Sequence, residues 1–151
     1  MSPVEAARRL RRTWALRGRP SCVGAGLTAQ TLAKAAGWPG REAGEICLLV
    51  IELCTNADRH GGGGRCTVEL GETECEVVVE DEGPGFPEAL LARFAAGLPV
   101  EGSGGAGGAR TRRERGLGAG LDAARRLASQ LTLENGERGA RVRARVVRAK
   151  G

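Results

Sequence analysis

Four consecutive glycines, Gly61 to Gly64, divide this chain at a point that no regular element crosses without cost. Glycine gives up more backbone freedom on ordering than any other residue, so a run of four ends whatever precedes it. Before the run, residues 41–60 carry Ile46, Leu49, Val50 and Leu53 at i, i+3, i+4 and i+7. That is one apolar stripe of an amphipathic helix. After the run come two strand-like segments, residues 65–70 and 74–81, with Gly71-Glu72 at the turn between them. A long helix followed at once by a hairpin is an α+β signature.

The remaining segments extend that pattern. Residues 1–12 read as a basic N-terminal arm, and residues 13–19 as a short edge strand. A helix is expected over 21–36, with Ser21 as its cap and Gly37 as its stop. Gly83-Pro84-Gly85 is a hard turn, and residues 87–96 form a short helix with Pro87 in its first turn. Residues 97–120 contain nine of the 25 glycines together with Arg110, Arg112, Arg113 and Arg115. Long loops of this composition are functional or mobile rather than packed. A helix over 120–129 and strands over 131–134 and 140–147 close the chain, with Asn135-Gly136 in the turn. In the last strand Val142, Ala144 and Val146 alternate with Arg141, Arg143 and Arg145, the period of a sheet with one solvated face. The expectation is a single α+β domain over 13–151. It is a two-layer sandwich with helices on one face of a mixed, mostly antiparallel sheet.

Composition removes several classes. With 41% apolar residues the chain is not a disordered tail. The five cysteines, at 22, 47, 54, 66 and 75, form no C-x-x-C, and His60 is the one histidine. That excludes a zinc site or a disulfide framework and points to buried free thiols in a reducing compartment. No apolar run approaches the ~18 residues of a membrane span, and no signal peptide is visible, so a cytoplasmic protein with no membrane partner is expected. The net charge of +5 is unevenly spread. Residues 41–90 carry 3 basic and 12 acidic side chains, and residues 91–151 carry 13 and 5. With an acidic middle and only two Trp and two Phe for stacking, direct nucleic-acid binding is not expected.

Three groups carry chemistry. Glu52, Asn56 and Arg59 lie at i, i+4 and i+7, a polar stripe on a face different from the buried one. Asp81 ends a β-branched strand and precedes Gly83 and Gly85, so its carboxylate can accept a hydrogen bond from an exocyclic amine where backbone approaches closely. Gly116, Gly118 and Gly120 open a helix, where free N–H groups and the helix dipole favour an anion.

In this order the three groups resemble the GHKL ATPases (gyrase, Hsp90, histidine kinase, MutL) over residues 13–148. Glu52–Asn56 is similar to the N box, Asp81–Gly85 to the first glycine box, and Gly116–Gly120 to the second. Histidine kinases usually place another Asn four residues before the N-box Asn; here that position is Glu52. Glu-Leu-Cys-Thr-Asn, with Gly-Leu-Gly-Ala-Gly-Leu followed by Asp-Ala-Ala-Arg-Arg-Leu, is most similar to the RsbW/RsbT/SpoIIAB anti-sigma and serine-protein kinase family, nearest its RsbT-like branch.

The resemblance implies a Mg-ATP-dependent serine/threonine kinase. Asn56 would hold Mg²⁺, and Glu52 would be the general base. Asp81 would read the adenine amino group, with Gly83 and Gly85 giving the base room. Gly116, Gly118 and Gly120 would bind phosphates, helped by Arg59 and Arg115, and residues 97–115 would be the ATP lid. It also implies a STAS-domain antagonist as substrate, and a sigma factor or a phosphatase as a second partner. The alternative is an ATP-gated partner switch with little catalysis. The long glycine-rich lid, and Gly139-Ala140 where a Gly-Thr pair is usual, depart from the family pattern.

Overall fold

The computed structural model describes residues 9–100 and 112–149, with the backbone alone described for 112–119. Five strands and four helices follow one another as β1 (Leu10–Leu16), α1 (Gly18–Ala35), α2 (Gly40–Gly61), β2 (Gly64–Leu70), β3 (Glu74–Asp81), α3 (Glu88–Ala95), α4 (Arg112–Leu127), β4 (Gln130–Asn135) and β5 (Ala140–Val147). The sheet order is β1-β2-β3-β5-β4, and all four pairings are antiparallel. Among the described residues no parallel pair accompanies them, so the sheet is antiparallel throughout rather than mixed. β1 begins at Leu10, inside the segment expected to be an arm, because residues 10–16 pair residue for residue with β2. Residues 1–8 lie outside the described residues.

α2 is the central helix. Ile46, Leu49 and Val50 are fully buried and Leu53 is 1% exposed. Gly62, at φ 74°, ends the helix in the left-handed conformation that glycine adopts without a Cβ clash. α1 packs on α2 through small residues. Cys22, Ala25, Gly26, Ala29 and Ala33 are buried, and a Cβ on Gly26 would stand 2.5 Å from Ile51 Cγ1 and 2.9 Å from the Cys47 carbonyl oxygen. Only glycine allows that approach. The start of α1 is tied to α2 as well, since the Gly18 N–H donates to Asp58 Oδ1 at 2.9 Å. Ser21 does not begin the helix; its Oγ accepts from the Arg17 N–H one turn back.

The register sorts side chains by face. Cys66, Val79 and Val142 form one cross-strand row that faces the helices and is buried. Arg65, Glu80, Arg141 and Glu134 form a row on the opposite face. There Glu80 pairs with Arg65 at 3.7 Å and with Arg141 at 3.4 Å, and Arg141 also meets Glu134 at 3.3 Å. Arg11–Glu69 and Arg145–Glu74 continue the pattern. The acidic middle of the chain and its basic end are therefore neighbours in the sheet. These pairs are largely solvent-exposed and set register more than they add stability.

Among the described residues no helix is long and apolar enough to cross a membrane. All five cysteines are free and buried. Burial pushes the Cys75 thiol up to about 12 from 9.0, with the nearby Cys66 and Glu76 adding to it. The Cys54 thiol is raised too, by its hydrogen bond with Cys66 and by burial. Two outcomes are expected. Near neutral pH the native thiols resist a disulfide-exchange reagent, and all five react once guanidinium unfolds the chain. Because Cys75 holds its proton more tightly when folded, its contribution to stability is complete below pH 9 and is lost as pH rises from 9 towards 12, read as a falling denaturation midpoint.

Candidate nucleotide site

The α2 stripe delivers Glu52 and Asn56 one turn apart towards α4. A Cβ on Gly120 would lie 3.4 Å from Glu52 Oε2 and 4.0 Å from Asn56 Oδ1. The missing side chain of Gly120 therefore leaves a small space bounded by a carboxylate and an amide oxygen. Asn56 is the one buried polar or charged residue among those described, at 9% exposure. No described residue hydrogen-bonds its side chain, so its amide oxygen is open to a ligand. A carboxylate oxygen and an amide oxygen facing one space between helices are donors of the kind a hard divalent cation such as Mg²⁺ takes. Arg59 follows on α2, exposed, without an ion pair among the described residues.

Asp81 ends β3 at a crowded junction. Its Oδ1 accepts from the Gly83 N–H at 2.9 Å and from the Ala140 N–H at 3.0 Å. Its Oδ2 accepts from no described residue. A Cβ on Gly61 would stand 2.3 Å from Asp81 Cγ, one on Gly83 2.6 Å from Gly61 Cα, and one on Gly139 2.5 Å from the Asp81 carbonyl oxygen. Gly85, at φ 83°, adopts the left-handed conformation, and its Cβ would meet Asn135 at 2.7 Å. Gly83 and Gly85 thus have packing partners in Gly61 and Asn135. The Gly139-Ala140 pair loses a hydroxyl relative to Gly-Thr, yet its bond to Asp81 comes from the backbone and needs no side chain.

The second glycine box differs from expectation. α4 starts at Arg112, so Gly116, Gly118 and Gly120 fall in its second and third turns instead of at its N-terminus, and Arg115 lies in its first turn. Residues 112–115 are Arg-Arg-Glu-Arg, good helix formers with no breaker before the glycines. N–H groups from Gly116 onwards have a helical carbonyl four residues back and are not free for an anion in this arrangement. Residues 101–111 of the expected lid lie outside the described residues. The start of that connection is fastened, however. The Val100 N–H donates to Asp122 Oδ1 at 3.0 Å, and Arg125 donates to the Leu98 carbonyl at 2.9 Å while its guanidinium stacks 3.8 Å from the Phe94 ring centroid.

The structure brings together Glu52, Asn56 and Gly120 on one side, and Asp81 with Gly83 and Gly85 on the other. A cavity of about 1150 Å³ at the end of the sheet is lined by Asp81, Gly62 to Gly64 and residues 134–141, and does not include Glu52 or Asn56. Sequence reading missed Gly61 and Asn135 beside the Asp81 turn, and noted Gly139 only as a departure from the family pattern. Gly61 was legible only as a helix stop, and Asn135 only as a turn residue.

Residues 42–150 match the family described as histidine kinase-, DNA gyrase B-, and HSP90-like ATPase. A 44-residue stretch is 46% identical to the sensor histidine kinase LnrJ of Bacillus subtilis (strain 168), covering 28% of this chain and 11% of that protein. The chain thus spans a small part of that kinase's length. The family match takes in the N-box helix, the Asp81 turn and the last two strands, and on that extent the chain belongs to the histidine kinase-, DNA gyrase B- and HSP90-like ATPases.

Proposed function

We propose that this ATPase-family domain is a Mg-ATP-dependent serine/threonine protein kinase of the bacterial anti-sigma or stress-signalling type, with a STAS-domain antagonist as substrate. A sigma factor or a phosphatase is the second partner in this reading. The observation that carries it is the pairing of Glu52 with the buried Asn56 at the space left by Gly120.

In the proposed reaction Asp81 Oδ2 accepts from the exocyclic amine of adenine, while the Gly83 and Ala140 N–H groups hold Oδ1. Asn56 Oδ1, with the phosphate oxygens, would hold Mg²⁺, which when bound neutralises phosphate charge. Glu52 Oε2 accepts the proton of the attacking Ser or Thr hydroxyl as the hydroxyl oxygen bonds to the γ-phosphorus and the bond to the leaving ADP oxygen breaks. Positioning and charge neutralisation are the main demands of phosphoryl transfer, so a base, an amide ligand and an adenine anchor are sufficient parts. A carboxylate in place of a second Asn four residues before Asn56 supports a hydroxyl acceptor.

A second reading is an ATP-gated partner switch with little catalysis. It is favoured by α4 beginning at Arg112, which keeps the glycine N–H groups inside the helix. ATP occupancy would then be coupled to the conformation of the first turns of α4 and so to partner affinity.

The test is purified protein with Mg-ATP and a cognate STAS protein, read as acid-stable phosphate on the STAS protein. No transfer, or an acid-labile phosphohistidine product, sinks the kinase reading; tight ATP binding without transfer supports the switch. Glu52→Ala is expected to slow transfer by about 100- to 10,000-fold while ATP still binds. For Asn56→Ala, calorimetry with and without Mg²⁺ is expected to show that the metal no longer strengthens ATP binding.

A further inference from the structure

Asn135 and Ala140 are cross-strand partners at the mouth of the β4–β5 hairpin. Each grips one end of the irregular turn from Asp81 to Phe86. The Ala140 N–H donates to Asp81 Oδ1. The Asn135 side chain takes the other end: its Oδ1 accepts from the Phe86 N–H at 2.7 Å, and its Nδ2 donates to the Phe86 carbonyl at 3.0 Å. Phe86 is 6% exposed and Asn135 is exposed, so the two bonds lie at the edge of the packed turn. The side chain thus does for one residue what a neighbouring strand would do. Only an amide supplies a donor and an acceptor in that geometry; Asp lacks the donor and Ser is too short for both. Gly85, between the two grips, leaves room for the amide, since its Cβ would stand 3.0 Å from Asn135 Cγ.

We infer that Asn135 is a positioning residue for base recognition. By fixing the Phe86 end of the turn while Ala140 fixes the Asp81 end, it holds Asp81 so that Oδ2 meets the adenine amine. Both polar atoms of the Asn135 amide are taken up by the Phe86 backbone. The inference rests on the adenine-reading role proposed for Asp81. A turn held at one end only would let the backbone that carries Asp81 shift, even with Oδ1 still bonded to the Gly83 and Ala140 N–H groups, and binding energy specific to the amine would be lost while phosphate-end contacts stayed.

Calorimetric titration with ATP and with inosine triphosphate, in Mg²⁺, tests this. Inosine carries a carbonyl where adenine carries the amine, and an N1–H where adenine has an acceptor, so the ratio of the two affinities reports recognition of that edge, and the part lost in Asp81→Asn is the part due to Asp81. The wild-type chain is expected to prefer ATP by about tenfold or more, as for a hydrogen bond to a charged group. Asp81→Asn is expected to abolish the preference. Asn135→Ala is expected to remove most of it with inosine triphosphate affinity unchanged. Asn135→Asp, which keeps the acceptor for the Phe86 N–H, is expected to fall between.

Trp38→Phe breaks a side-chain-to-backbone bond of the same kind, Nε1 to the Gly71 carbonyl at 2.8 Å, away from the turn, and is expected to keep the full preference. Equal weakening of both nucleotides by Asn135→Ala, or an unchanged ratio where Asp81→Asn abolishes it, overturns the inference. If Asn135→Ala does not fold, the ratio for Asn135→Asp decides, and a wild-type ratio there overturns it. A wild-type ratio for Asp81→Asn removes the adenine reading itself, and the inference with it.

Discussion

Asp81 sits where four stretches of backbone meet, and the rest of the site depends on their being able to come that close. Gly61 at the end of α2, Gly83 in the following turn and Gly139 at the start of the last hairpin each approach to distances that a Cβ would forbid. The carboxylate holds this junction together by accepting two N–H groups on one oxygen. Charge-assisted hydrogen bonds of this kind are about twice as strong as neutral ones. The same contacts leave the second oxygen with no described hydrogen-bond partner, and it is this oxygen that the proposed function assigns to adenine.

The helix layer brings a different constraint. α1 and α2 pack through glycine, alanine and cysteine, which lets their axes approach closely and leaves the polar stripe of α2 turned towards α4. Glu52 and Asn56 gain their setting from that packing and from the absent side chain of Gly120. On the far side of the sheet, the arginines of β5 lie beside the glutamates of β3 and β4. Of the positive charge in the last third of the chain, Arg141 and Arg145 are engaged by carboxylates. Arg143 sits between them in the same strand, opposite Val78 and Thr132.

Most of the fold could be read locally. The stripe Ile46, Leu49, Val50, Leu53 located α2 because burial follows the helical repeat, and alternation over residues 140–147 located β5 for the equivalent reason in a strand. The first residue of α4 was not legible, because scattered glycines lower helix propensity without forbidding a helix that packs on another. The beginning of β1 was missed because its exposed, charged residues carry no apolar period; pairing with β2 defines it.

The sequence by itself determined which elements form and which side chains are candidates for chemistry: Glu52, Asn56 and Asp81 stand out through spacing and through the glycines near them. Tertiary structure alone decided what those side chains meet. Gly61, Gly139 and Asn135 reach the Asp81 turn from helix and hairpin ends between about 20 and 60 residues away in the chain, and Gly120 reaches Glu52 across a helix pair. Local periodicity encodes the face on which a residue sits. It does not encode the distance at which that face meets another, which is fixed by how closely backbones without side chains can pack.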